Sequence, residues 1–409
     1  MTAWAQLLHF YQPPTQTHDV LRRVVNESYR PLLRVLLTHP NTRVAVNMNA
    51  VLSEMLVEHG YSDVIESLRE LVDSGRAELV GSGRFHPILP LIPAAERERS
   101  IRENAEVNER IFGKTWRPSG FFPPEMCWSQ EVAGAIARQG HRWVALSGIA
   151  CGAEWPVGTI YRMRAGRASL AVLFRDDVRS DRISFRRTSA TEFIEDLAEW
   201  GDETRYVFTA MDAETFGHHL KHWEDEFLGE VLGALGRGRG AASGVTMLLP
   251  SDVTQRYPQA GFIEPRPSSW STSEQDIDES NPYPLWKAPG NDLHALQWDY
   301  VHHCVDLLAV AHHHAHGKDA RKYAAMAEEQ LQPALHSCQF WWASRRPMWD
   351  PSMIHRGFLL LSAALLYAAK SIATSSAPAE VKQQTEWRIA AANDIRWLLE
   401  RELMKADPV

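Results

Sequence analysis

The chain has 409 residues, 44% hydrophobic and 23% charged, which is enough apolar material for a large buried core and for two or three domains. Its formal net charge of -8 argues against a nucleic-acid or anionic-membrane partner, because affinity for phosphates comes from clustered Lys and Arg. Cys127, Cys151, Cys304 and Cys338 lack CxxC spacing, so neither a zinc knuckle nor a disulfide framework is indicated.

β-Prone and helix-prone runs alternate along the chain. Leu7 to Phe10 reads as a strand followed by an amphipathic helix from Asp19 to Leu37. Val44 to Met48 precedes a helical stretch from Ala50 to Ser74 with a break at Gly60, and Leu79 to Gly81 leads into Ala94 to Phe112. Phe121 and Phe122 come before a helix at Glu131 to Arg138, and Trp143 to Leu146 and Leu170 to Phe174 are further strands. Thr191 to Trp200 is helical, Tyr206 to Thr209 is a strand, a helix is expected from about His218 to Leu235, and Val245 to Leu249 is again a strand. Gly236 to Gly244 has linker composition but is read as a loop inside one domain, since a strand follows it. This alternation implies α/β architecture with parallel strands, as a barrel or a doubly wound sheet.

From Pro258 to Asp292 the chain is rich in Pro, Ser, Asp and Glu without periodicity. After it the pattern is helical, with Leu293 to His316, Ala320 to Leu335, His355 to Ile372 and Val381 to Leu403. Phe358 to Ala369 is the longest apolar run and falls short of the roughly 20 residues of a membrane span, so it reads as a buried helix. MTAWAQLLHFYQPP has neither the basic start nor the small-residue cleavage site of a signal peptide, and the expected compartment is the cytoplasm.

Two acidic segments carry the chemistry. In GFFPPEMCWS the aromatic end of a strand gives way to Pro123-Pro124, which force an exit from the sheet, and then to Glu125. In FTAMDAETFGHH a β-prone run leads to Asp212 and Glu214. Carboxylates at the carboxyl ends of strands sit where α/β proteins bind ligands. They are also common helix caps, but two of them beside aromatic residues match what a glycosidase needs. The 15 Trp residues fit a sugar ligand too, although core packing accounts for most Trp residues in most proteins.

The ordered segments HFYQPP (His9 to Pro14), GSGRFHPILPLIP (Gly81 to Pro93), GFFPPEMCWS and MDAETFGHH (Met211 to His219) resemble the motifs of glycoside hydrolase family 57, with a fainter fifth at Ser268 to Asp278. The resemblance implies an incomplete parallel (β/α)7 barrel over residues 1–290. A C-terminal α-helical bundle over 291–409 would pack against it and line the cleft. It implies a retaining enzyme acting on α-linked glucan or oligosaccharide, by hydrolysis or transglycosylation, with no metal or other cofactor. Glu125 would be the nucleophile and Asp212 the acid and base, with Glu214 as its rival. His9, Gln12, His86, Trp128, His218, Trp270, Trp341 and Trp342 would contact substrate, His9 by donating to a sugar hydroxyl, and Asp276 is a weaker candidate. Tyr11 and His219 depart from the family pattern, which usually has His and an aromatic residue there.

Leu173 to Phe185 reads as an Arg and Asp network holding loops, and HSCQFWWASRRPMWD (His336 to Asp350) as either a hydrophobic hinge or an aromatic cleft wall. HHHAH (His312 to His316) lies on a helix, where its members diverge. A metal-dependent deacetylase or mannosidase on the same barrel would use His9, His86, Asp212 and His218 as ligands. That reading lacks a compact ligand pair and leaves Glu125 without a role. A catalytically silent sugar-binding protein is the third reading, against which both carboxylates stand.

Overall fold

The computed structural model describes residues 2–199, 205–236, 244–346 and 348–405. Trp200 at the end of one expected helix and residues 237–243 of the Gly-rich loop lie outside the described residues. The chain divides into two compact units, Met1–Ser273 and Glu274–Val409.

The first unit is α/β. Its strands are Thr2–Phe10 (β1), Val44–Met48 (β2), Ala77–Val80 (β3), Gly120–Phe121 (β4), Trp143–Leu146 (β5), Ile160–Ala165 (β6), Ala168–Phe174 (β7), Tyr206–Asp212 (β8), Val245–Met247 (β9) and Gln259–Phe262 (β10). They form one sheet in the order β3-β2-β1-β8, with β9 on the start of β1, and a second in the order β10-β6-β7-β5-β4. A parallel bridge between Gly81 and Phe121 connects β3 to β4 across the two sheets. At the other end the Arg175 guanidinium Nε donates to Ala210 O at 2.7 Å and the Asp176 N–H to Phe208 O at 2.7 Å, tying the end of β7 to β8.

β1 is buried along its whole length, as expected of a central strand in a parallel sheet covered on both faces. Its alternate residues serve two cores. Trp4, Leu8 and Phe10 pack into the cluster with the helices, while Ala3, Ala5 and Leu7 share a second cluster with Phe122, Trp143, Leu173 and Phe208. Small residues on β1 leave room for the Phe122 and Trp143 rings from the side of the other sheet. Gly120 in β4 is required by the same crowding, since a Cβ there would stand 2.1 Å from the Trp143 indole.

Two strands were absent from the sequence reading. β6 pairs antiparallel with β7 through a turn at Gly166 (φ 66°), so the second sheet is mixed rather than all parallel. β10 is exposed at all four positions and carries no burial signature.

The second unit contains the helices Asp292–His314, Lys318–Ala334, Cys338–Trp341, Pro351–Thr374 and Ala379–Lys405. Asn291 caps the first by accepting from the Leu293 and His294 N–H groups, and Asp350 caps the fourth from Ser352 and Met353. Pro351–Thr374 packs against Lys318–Ala334 and Asp292–His314. By length and composition it could cross a membrane, but 50% of its most apolar window is buried inside the protein. Residues 274–290, expected in the first domain, fall in this unit, where buried Trp286 accepts from the Trp298 indole through its carbonyl and His294 Nδ1 accepts from Ala288 N–H.

Candidate active site

Strand parity brings the first site residues together. Asp212 continues the inward series Tyr206, Phe208, Ala210 on β8, and His9 continues Ala3, Ala5, Leu7 on β1. The register places His9 opposite Asp212 on one side and Asn47 on the other. His9 Nδ1 is hydrogen-bonded to Asn47 Oδ1 at 2.6 Å. Burial lowers the His9 pKa to about 4, opposed by the Asn47 hydrogen bond, and the ring is neutral.

His9 is one layer of a ring stack. Its centroid is 4.6 Å from Phe122, 4.8 Å from His86 and 5.9 Å from Tyr11, which is itself 4.0 Å from His86. His86 is fully buried, with Nδ1 3.6 Å from Glu125 Oε1. The Pro123-Pro124 exit ends β4, and the turn after it holds Glu125 and Met126 at φ 58° and 49°. His86 also sits at φ 58°. Left-handed backbone at non-glycine residues costs on the order of 1 kcal/mol each, and three such residues around one carboxylate mark a site where the fold enforces geometry.

Trp270 fixes the Glu125 side chain. Its indole Nε1 donates to Glu125 Oε2 at 3.0 Å, and its backbone N–H donates to the Glu125 carbonyl at 3.2 Å. Trp270 also lines a cleft of about 210 Å³ together with Asp212, Arg175, Asp181, Phe185 and His219. Both carboxylates thus belong to one locality, Asp212 as a wall and Glu125 through the residue that holds it.

Asp212 and Glu214 part company after the strand. A 3₁₀ turn over Ala213–Thr215 ends β8 and turns Glu214 aside into a buried cage. There Glu214 Oε1 accepts from the Tyr29 hydroxyl and from Gln12 Nε2 at 3.1 Å. Burial raises the pKa of Asp212 above the usual carboxylate range, against the nearby Arg175 charge. Glu214 is raised as well, by burial first and then by Asp212. Arg175, itself buried, is held by Asp177 and Asp181 at 2.7 Å each, and so forms a fixed cation beside Asp212.

The other expected contacts are distributed as follows. Gln12 uses both ends of its amide within the protein, since its Oε1 accepts from Gln16 Nε2 at 3.0 Å. Trp128 is fully buried and its indole has no face open to a sugar ring. His218 Nδ1 pairs with Glu27 Oε2 at 2.7 Å, whereas its neighbour His219 lines the cleft. Gly217 sets this division with φ 101° on a turn where a Cβ would meet the Glu27 carbonyl at 1.9 Å. Trp341 and Trp342 lie edge to face at 4.8 Å in the second unit, as does Asp276, which accepts from Asn281. Sequence reasoning gave no cleft role to Phe185 or Arg175, and nothing in the helical stretch around Tyr29 marked it as the partner of Glu214. Among the described residues no three His, Cys, Asp or Glu side chains gather in a way that would hold a metal ion.

The family model for glycosyl hydrolase family 57 matches residues 5–265. The chain belongs to glycosyl hydrolase family 57. Among family 57 relatives, an alpha-amylase of Pyrococcus horikoshii is 27% identical over 63% of this chain and 40% of its own length. A 4-alpha-glucanotransferase of Thermococcus kodakarensis is 24% identical over 63% of this chain and 39% of its own. The chain thus spans about two fifths of the length of these curated relatives. The fold resembles the crystal structure of a GH57-type branching enzyme from Pyrococcus horikoshii, with TM-score 0.69, 15% identity and coverage of 100% of this chain and 98% of that one.

Proposed function

We propose that this chain is a retaining glycoside hydrolase or transglycosylase acting on α-linked glucan or oligosaccharide in the cytoplasm. The proposed scaffold is an incomplete seven-stranded barrel of β1 to β5, β7 and β8, followed by a helical bundle. The observation that carries the reading is the double role of Trp270, which hydrogen-bonds Glu125 and lines the cleft with Asp212.

Glu125 attacks the anomeric carbon as the glycosidic bond to the leaving oxygen breaks, and Asp212 gives that oxygen its proton. Asp212 then takes a proton from water or from an acceptor hydroxyl, whose oxygen displaces Glu125 from the glycosyl-enzyme. This route requires carboxyl groups about 5–5.5 Å apart. The raised pKa of Asp212 suits it to carry a proton near neutral pH. The neutral His9 and the fixed Arg175 supply, respectively, a hydrogen-bond partner for a sugar hydroxyl and a counter-charge for Asp212 once it has given up its proton.

The test is product analysis on maltooligosaccharides, amylose and aryl α-galactosides, with the anomeric form of the first product followed by NMR. Retention at the anomeric centre is expected. Inversion, or no change to any of these glycosides, would overturn the reading.

A further inference from the structure

We propose that Phe185 is the stacking platform of a sugar subsite on the leaving-group side of Asp212, occupied by a pyranose ring of the substrate chain or of an acceptor sugar. The inference rests on the functional reading above and adds the position and chemistry of a second ring-binding place to it.

Phe185 is 62% exposed, although it lines the same cleft as Asp212. An aromatic ring left this open beside a polar cleft offers an apolar face to the C–H side of a sugar, while Asp181, Ser184 and Ser271 in the same wall offer hydroxyl partners. The ring is held in place. The helix Asp177–Ser184 ends in a Schellman motif in which Arg187 N–H donates to Arg182 O at 2.7 Å and Arg186 N–H to Ile183 O at 3.2 Å. Arg186 takes the left-handed position at φ 52° and is pinned by Glu226 at 2.6 Å and by the Trp223 ring at 5.1 Å. Arg187 lies 5.5 Å from the Phe185 centroid. A chain reversal fastened at this many points presents the ring outward.

Topology gives the side. On β8, Asp212 has β1 and the His9 stack as one neighbour and the end of β7 as the other, and Phe185 follows β7. Glu125 follows β4, which reaches β7 only through β5. A glycosyl unit held by Glu125 and the His9 stack therefore directs its leaving oxygen past Asp212 towards Phe185.

The experiment uses the full chain with the nucleophile blocked by Glu125→Gln, and reads maltose and maltohexaose affinities by calorimetry. Adding Phe185→Ala is expected to weaken maltohexaose roughly tenfold, the scale of one buried aromatic contact, with maltose moved much less and Phe185→Trp restoring the longer ligand. The thermal midpoint should not change, since the ring is exposed. In the chain with Glu125 intact, Phe185→Ala should raise both the KM for maltohexaose and the acceptor KM for transfer. Unchanged maltohexaose affinity, equal weakening of both ligands, or no maltohexaose binding to the blocked chain would each overturn the subsite. If the unsubstituted chain converts no glucan, the functional reading itself fails. If it converts glucans while Phe185→Ala behaves as the unsubstituted chain does, only the subsite fails.

Discussion

Trp270 holds Glu125 at two points, with its indole N–H on the carboxylate at 3.0 Å and its backbone N–H on the Glu125 carbonyl at 3.2 Å. In the proposed mechanism the indole bond holds the nucleophile, and so sets the direction of attack. The backbone bond is independent of the side chain. Trp270→Phe keeps an aromatic ring and the backbone bond while removing the donor. A hydrogen bond to a charged group is worth roughly 1.5–3 kcal/mol, so kcat should fall on the order of ten- to a hundredfold. Steady-state kinetics on a maltooligosaccharide, with the thermal midpoint as control, would show whether the loss is in kcat; a change confined to KM would make Trp270 a binding wall only.

Glu125→Gln should abolish turnover and leave fold and ligand affinity largely intact. The amide keeps the shape of the carboxylate and can still accept from Trp270 through its oxygen. Retention of more than a small fraction of activity on every substrate of the unsubstituted chain would remove Glu125 from the nucleophile role.

Asp212→Asn should damage substrates with poor leaving groups far more than activated aryl glycosides, because an activated leaving group needs little protonation. Azide should restore part of the turnover of this variant. The pH profile follows from the same group. In the proposed role Asp212 works as the acid only while protonated, and its pKa is raised by burial, so the basic limb of kcat/KM should lie above the ordinary carboxylate range. A limb that stays in place in Asp212→Asn would assign it to another residue.

Glu214 should show itself in stability. Its folded pKa is raised, so the buried charged form disfavours the folded state. That cost is absent below the unfolded pKa and grows as pH rises through the folded value. Glu214→Gln keeps the acceptor for Tyr29 and Gln12 and removes the titration. The variant should gain on the order of 1 kcal/mol over the unsubstituted chain at pH 8 and lose that advantage at pH 4. Thermal melts at the two pH values decide it, and a pH-independent difference would count against the cage as described.

Much of the site's frame was legible because strand chemistry is local. A Pro pair after aromatic residues predicts an exit from a sheet, and Glu125 does stand in the turn after β4. Alternation along Tyr206 to Asp212 predicts which residues face inward. What was hidden depends on tertiary neighbours. From the sequence Trp128 is the better candidate for stacking on a sugar and Trp270 the weaker, but the first is fully buried and the second holds Glu125. His218 and His219 are adjacent, and only the left-handed turn at Gly217 decides which one pairs with Glu27. β10 has no buried position from which a pattern could be read, and β6 carries Arg162 and Arg164 where an apolar run would have announced it.

The left-handed backbone at Glu125 separates what this position contributes to chemistry from what it contributes to folding. Glycine adopts φ near 58° without steric cost, and asparagine visits that region more readily than most residues, whereas glutamate does so only because the turn compels it. Selection for stability alone would not choose glutamate here. In a lineage that lost the need for the reaction, this turn is where drift toward glycine or asparagine should appear early, while the buried β1 beneath it changed slowly. A glycine or asparagine at this position in a sister sequence would then be a readable mark of a retired enzyme whose fold has outlived its activity.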